Sequence, residues 1–236
     1  MNRKLRKQLK GDKFAEEVGA GVSWIDHHRS LLGRYGLIAL AVVVVGGGIY
    51  FFMRYQSNAR AEALAEAMRV DTAAVLPAPV PPGGLSYASQ AEKDVARTKV
   101  FTDLAVKYHG SQEGAIAQMY MASDAADKAD FKNAERMYKD VVDSAPAGIS
   151  SMARLPLAQV YAAEGKTAEA EKLLRDAVAH PSVTVSKEDA TLHLAKLIAP
   201  TKPDEARKLL EPLRMERTSV SRAAVTALGE MAPYFK

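Results

Sequence analysis

The apolar and polar positions of this chain begin with one long uninterrupted apolar segment. Residues 35–53 carry no charge and are closed by Arg34 and Arg54. At about 1.5 Å of rise per residue, a helix of this length crosses a hydrocarbon core of roughly 30 Å. A segment in lipid must satisfy its own backbone hydrogen bonds. We therefore predict one transmembrane helix over residues 35–55.

Two other interpretations of this apolar segment stay open. A buried core helix has a similar composition, and a cleaved signal peptide also carries an apolar core near the N-terminus. Signal peptides normally have an apolar core of about 7–15 residues behind a short basic leader. Here the leader is 34 residues long, and residues 57–59 form only a weak cleavage pattern. These features favour an uncleaved anchor.

The patterns on either side of the anchor differ from each other. Residues 1–34 form a basic arm that includes an amphipathic helix over residues 12–34. Its apolar positions recur at spacings of four and three: Phe14, Val18, Val22 and Ile25. Residues 56–85 contain an Ala- and Glu-rich helical extension and then a Pro-rich linker. Residues 86–236 show helical periodicity throughout, with Ser86 as the expected cap of the first helix.

The charge distribution predicts how the chain is oriented in the membrane. Residues 1–34 hold eight basic and four acidic side chains, whereas residues 85–236 hold 21 of each. Basic flanks stay on the cytoplasmic side. The arm should therefore be cytoplasmic, and the large C-terminal part should lie outside, in the periplasm of a bacterium with two membranes. The arm has no interleaved aromatic pattern, so we expect contact with the lipid bilayer and not with nucleic acid.

The C-terminal part repeats at a fixed period of 36 residues. Three alanines mark that period, and two apolar positions follow each of them at four and seven residues. Agreement at three positions in register indicates a helical repeat, in which small residues allow close crossings. The predicted repeat-packing residues are Ala134, Tyr138, Val141, Ala170, Leu174, Ala177, Ala206, Leu210 and Leu213.

This pattern resembles the tetratricopeptide repeat, whose unit of about 34 residues is a pair of antiparallel helices. The resemblance covers residues 115–214, or 86–232 with the flanking helices. It implies an all-α fold, in which an amphipathic helix and one transmembrane helix precede a solenoid of helical hairpins. Pro156 departs from the pattern and predicts a late start or a kink in its helix. A last helix over residues 218–232 is expected to cap the stack.

The resemblance implies that binding occurs on the concave surface, which the first helix of each hairpin lines. The candidate groove residues are Ile116, Met119, Ser123, Met152, Leu155 and Gln159. Methionines adapt to irregular apolar partners. In the alternative interpretation, the helix over residues 218–232 fills the groove, and these residues belong to the core.

The sequence carries no catalytic, cofactor-binding or metal-binding motif that we recognise. It has no cysteine, so a disulfide or a Cys-ligated metal is impossible. His27 and His28 are adjacent on a helix and do not face each other. His109 and His180 lie at predicted helix ends, where a partial positive charge suits the helix dipole. We therefore expect neither an enzyme nor a protein that depends on a cofactor.

The order of segments is similar to the ancillary subunit of the bacterial Sec translocon, a single-span inner-membrane protein with a periplasmic repeat domain. That resemblance implies an adaptor with chaperone-like or scaffolding function in protein transport. Its expected partners are translocon subunits, periplasmic chaperones or client polypeptides. The alternative is a structural accessory subunit of another inner-membrane complex.

Overall fold

The structure is a computed structural model that describes residues 29–76, 85–215 and 219–234. These residues form an array of helices: α1 (Arg29–Thr72), α2 (Gln90–Lys107), α3 (Gln112–Asp127), α4 (Phe131–Ser144), α5 (Ala147–Ala163), α6 (Thr167–Ala179), α7 (Lys187–Ile198), α8 (Pro203–Met215) and α9 (Ser219–Glu230). Two short strands, β1 (Ala74–Val75) and β2 (Ser86–Tyr87), pair in parallel between α1 and α2. A 3₁₀ turn over Ala232–Tyr234 follows α9. The all-α class is confirmed.

Two predicted segments lie largely outside the described residues. The amphipathic helix over residues 12–34 is one of them, although α1 includes its last residues from Arg29 onward. The Pro-rich linker is the other, because residues 77–84 are not described. Both stay predictions.

The chain divides into two compact units, and the first of them ends at Ala59. Its described part is the apolar half of α1. Side chains from Tyr35 to Met53 are exposed almost without exception, and no part of the most apolar window is buried. Among the described helices, α1 is the one that is long and apolar enough to cross a membrane.

The second unit begins at Arg60, within α1. The last turns of this helix bury Ala67 and Val70, and Ala67 joins a hydrophobic cluster with Phe101 and Leu104 of α2. The sequence pattern assigned these turns to an extension outside the repeat domain. In the structure these turns pack against α2 within the second compact unit, and the predicted domain boundaries stay predictions.

The hairpins that follow are stacked by small residues at their crossings. Ala134, Ala170 and Ala206 have no exposed surface. The other six residues predicted to pack between repeats are also buried. A single helix pair cannot bury its apolar face alone, so each hairpin depends on its neighbours. Two clusters result: one centres on α3, α4 and α5, and the other extends from α5 to α9.

The packing of the hairpins defines an inner and an outer surface of the array. The first helices of successive hairpins, α3, α5 and α7, approach each other directly, and α9 in turn contacts α7. In the described residues, the second helices, α4, α6 and α8, contact the first helices but approach one another less closely. We call the surface formed by α3, α5 and α7 the inner surface of the array and the opposite one its outer surface.

The period of 36 residues recurs in the ion pairs between hairpins. The ammonium of Lys166 lies 2.5 Å from a carboxylate oxygen of Glu135, and that of Lys202 lies 2.7 Å from Glu171. Both partners shift by 36 residues from one pair to the next. Each lysine precedes a second helix, and each glutamate follows a crossing alanine of the hairpin before it. The pairs therefore hold successive hairpins in the same register.

Two local details differ from the sequence prediction. Ser86 does not cap α2, because it lies in β2. Ser89 caps this helix instead, and its hydroxyl accepts a hydrogen bond of 3.2 Å from the backbone N–H of Glu92. Pro156 does not delay α5, which begins at Ala147, so the predicted late start is wrong, whereas the kink stays a prediction. An interior proline costs about 3 kcal/mol, and the buried residues on both sides of Pro156 supply apolar contacts that offset this cost.

Candidate functional site

A pocket of about 460 Å³ lies on the inner surface, between α5 and α7. Leu155, Ala158 and Leu174 form part of its apolar floor, and α7 contributes His193 and Lys196. The pocket thus combines an apolar interior with a few polar groups. Such a combination suits an apolar side chain of a bound polypeptide better than a small charged ligand.

The predicted groove residues occupy different environments. Leu155 and Gln159 line the pocket, and Met152 is exposed on the same helix. Ile116 and Met119 are half-buried against the cluster around α3, α4 and α5.

Ser123, the remaining groove candidate, is exposed and hydrogen-bonds to Tyr138. Burial raises the pKa of this tyrosine above its usual value. The structure therefore brings two of the six candidates together at one pocket. The binding role of all six stays a prediction.

Among the polar groups at the pocket, His193 has a shifted pKa. Burial lowers the pKa of His193, and the nearby Lys196 acts in the same direction, whereas Asp189 opposes them. The imidazole is therefore neutral at pH 7. Its Nδ1 lies 3.4 Å from the side-chain nitrogen of Gln159, a contact that links α5 to α7 across the pocket.

Sequence reasoning missed the contribution of α7 to this pocket. The first helix of the third hairpin carries Leu194 and Ile198, which the structure places in the core. The pocket residues are sequence neighbours of these core positions: His193 precedes Leu194, and Lys196 lies between Leu194 and Ile198. Gln159 and His193 are 34 residues apart, and the repeat has a period of 36 residues. The period alone therefore does not bring these two side chains together.

The C-terminal helix extends the array. The main contacts of α9 are with α7 and α8, and its Ala224 and Ala227 are fully buried in the cluster that extends from α5 to α9. It therefore occupies the position of the next first helix. This packing does not support the interpretation in which α9 fills the groove over α3 and α5.

Stacked antiparallel hairpins with small residues at their crossings and an inner surface for binding define a helical-repeat scaffold. A comparison with protein families agrees with this class. The chain belongs to the family described as a tetratricopeptide repeat-like domain, whose model matches residues 29–207. Scaffolds of this type generally bind other proteins and typically have no enzymatic activity of their own. No curated protein and no solved structure matched the chain.

Proposed function

We propose that this chain is a membrane-anchored adaptor that binds polypeptide partners on the inner surface of its repeat array. The observation that carries the proposal is the pocket between α5 and α7, which opens among the first helices of the hairpins. Its apolar floor and its neutral His193 favour an apolar side chain. Leu155 and Gln159 would contact that side chain directly, with Met152 beside them.

We assign the membrane anchor to the apolar half of α1. Its exposed side chains require an apolar environment. The family match begins at Arg29 and so includes this helix together with the repeats. That range supports a retained anchor over a cleaved leader. The basic arm of residues 1–34 favours a cytoplasmic N-terminus and a periplasmic repeat array at a bacterial inner membrane.

We further propose that the partners belong to the secretion apparatus: translocon subunits, periplasmic chaperones or client polypeptides. This step rests on the order of the segments, namely a basic arm, one anchor and an outer repeat array. The alternative proposal, an accessory subunit of another inner-membrane complex, shares that order. The two proposals differ in which proteins contact the groove.

Photo-crosslinking in intact cells tests the groove. A photoreactive amino acid replaces Met119, Met152 or Gln159 in the full chain, and Lys172 serves as the control position because it is exposed on α6. We expect secretion proteins to be captured from the groove positions and not from Lys172. Capture of a stoichiometric envelope or respiratory complex would favour the accessory subunit. Capture of the chain's own α9 alone would contradict a partner site.

A reporter fused after Lys236 tests the orientation independently. Alkaline phosphatase, which requires an oxidising compartment, should be active there, and a green fluorescent protein that does not fold in the periplasm should be dark. The opposite pair of results would refute a periplasmic array.

A further inference from the structure

A second pocket, of about 280 Å³, lies between α2, α3 and α4. It is separate from the groove, because none of its lining residues belongs to α5 or α7. Its lining includes Arg97, Phe101, Tyr120, Met121, Asp130 and Met137. The rings of Phe101 and Tyr120 stack with their centroids 5.0 Å apart. Aromatic rings and two thioethers are a favourable environment for another aromatic ring.

The next hairpin shows what occupies the equivalent space. Ala125 lines the pocket, and 36 residues later the chain has Tyr161. The backbone around these two positions is the same. The N–H of Asp130 donates to the carbonyl of Ala125 at 2.8 Å, and the N–H of Lys166 donates to the carbonyl of Tyr161 at 2.8 Å.

Tyr161 packs against both of the large hydrophobic clusters of the array. Lys166 lies 5.7 Å from the centroid of its ring. In the second hairpin, a tyrosine ring beside a cation therefore fills the position. In the first hairpin, the methyl group of Ala125 leaves that position open. The pocket is therefore the space that a tyrosine ring fills in the second hairpin.

The charges around the pocket indicate what should accompany the ring. Arg97 contacts Asp71 and Asp124 at 2.5 Å each, and Lys128 contacts Asp124 at 3.2 Å. Asp130 has no cation within ion-pair distance among the described residues. Its carboxylate instead caps α4, where it accepts hydrogen bonds from the backbone N–H of Asn133 at 3.4 Å and from the side-chain amide of Asn133 at 2.6 Å.

The second hairpin has Lys166 at the position of Asp130. The first hairpin therefore offers a carboxylate where the filled site supplies its own ammonium. An occupant that brings both the ring and a positive charge would complement this site.

We propose that the pocket between α2 and α4 is a docking site for an aromatic side chain flanked by a basic residue on a partner polypeptide. The ring would enter against Phe101, Met121 and Met137. The basic group would pair with Asp130. This surface is independent of the groove between α5 and α7, so the chain can hold two segments of partner at once.

Methionine-methyl NMR on the full chain in detergent micelles tests this site. Met121 and Met137 line the pocket, whereas Met119 and Met152 report on the groove. The probes are tyramine, which has a phenol and an ammonium, 4-hydroxyphenylacetate, which has a phenol and a carboxylate, and isoamylamine, which has an ammonium and no ring. We expect millimolar tyramine to shift Met121 and Met137 and to leave Met119 and Met152 unchanged.

Tyramine should bind at least about fivefold more tightly than either of the other two probes. Equal binding of tyramine and 4-hydroxyphenylacetate would refute the role of Asp130. Absence of any shift at Met121 and Met137 would refute the site. A shift of these methyl groups with protein concentration alone would show that a second copy occupies the pocket, and it would overturn the proposal of a different partner.

Two variants complete the test. Ala125→Tyr supplies the missing ring from the chain itself and should abolish the tyramine-induced shifts. Asp130→Asn keeps a side chain that caps a helix equally well and should weaken tyramine binding about fivefold. Asp103→Asn, on the exposed face of α2, is the matched control and should have no effect. If Ala125→Tyr fails to fold, Asp130→Asn and the ranking of the probes still decide the outcome.

Discussion

The turns inside the first two hairpins adopt the same backbone conformation with different residues. Ala129 follows α3 with a φ of 59°, and Gly165 follows α5 with a φ of 78°. The two positions are 36 residues apart. Glycine adopts a positive φ without steric cost, whereas alanine pays about 1–2 kcal/mol there. Substitutions at the two positions should therefore change the free energy of unfolding in opposite directions.

We expect Ala129→Gly to stabilise the array and Gly165→Ala to destabilise it. The backbone term of about 1–2 kcal/mol is partly offset by the entropy of the unfolded chain, about 0.4–1 kcal/mol in favour of alanine. The net change is about 0.5–1 kcal/mol in each case, with opposite signs. A methyl group added at Gly165 would meet no atom within 4 Å, so packing adds nothing to this value.

Thermal unfolding of the full chain in detergent, followed by circular dichroism, measures both changes. A change of about 1 kcal/mol moves the Tm of a chain of this size by roughly 2–4 °C. Gly229→Ala is the control for the entropy term alone, because Gly229 lies inside α9 with open space around it. It should raise the Tm. A fall in Tm for Ala129→Gly, or a rise for Gly165→Ala, would refute the assignment of a left-handed turn to that hairpin.

Three further changes test the packing and the electrostatics of the array. Leu210→Ala removes a side chain with no exposed surface and should cost about 3 kcal/mol in urea unfolding, more than any exposed leucine. Burial opposes the ionisation of Asp124, but hydrogen bonds from Arg97 and Lys128 outweigh it and hold its pKa below the usual value. The ionised Asp124 therefore stabilises the fold at neutral pH, and this contribution is lost as the pH falls below about 4. Asp124→Asn should flatten the acid side of the plot of Tm against pH. Glu171→Gln should lower stability by less than about 1 kcal/mol, and added salt should shrink the difference.

Much of the repeat array could be predicted because its determinants are local and periodic. Ala134, Ala170 and Ala206 recur at one spacing, because each close helix crossing excludes larger side chains. The long apolar helix could also be predicted, because the length of an uncharged apolar segment determines whether it can cross a membrane. In the third hairpin the first helix departs from the period. The contribution of His193 to the pocket could not be predicted for that reason.

The pocket between α2 and α4 could not be predicted as a site, because it exists only where the first hairpin lacks the ring that Tyr161 supplies in the second. An alignment of the hairpins places Ala125 against Tyr161 and so contains the signal. Only the structure shows that the rest of the first hairpin does not move in to fill the space. Phe101 and Tyr120 stack on each other instead of entering it. The α2 cap was misplaced for a related reason: Ser86 and Ser89 are both good caps, and the pairing of β1 with β2 selects the second.

The two ends of the array show how residues Arg60–Thr72 pack with the repeats. A solenoid needs a terminal layer that is apolar inside and polar outside. In the last turns of α1, Ala67 joins the cluster with Phe101 and Val70 is buried, whereas Glu66 and Arg69 are exposed and paired with each other. The sequence showed only high helix propensity there, because alanines serve both an isolated helix and a close crossing. These turns therefore act as the N-terminal cap, as α9 does at the other end, and a chain cut after them would expose Phe101 to water.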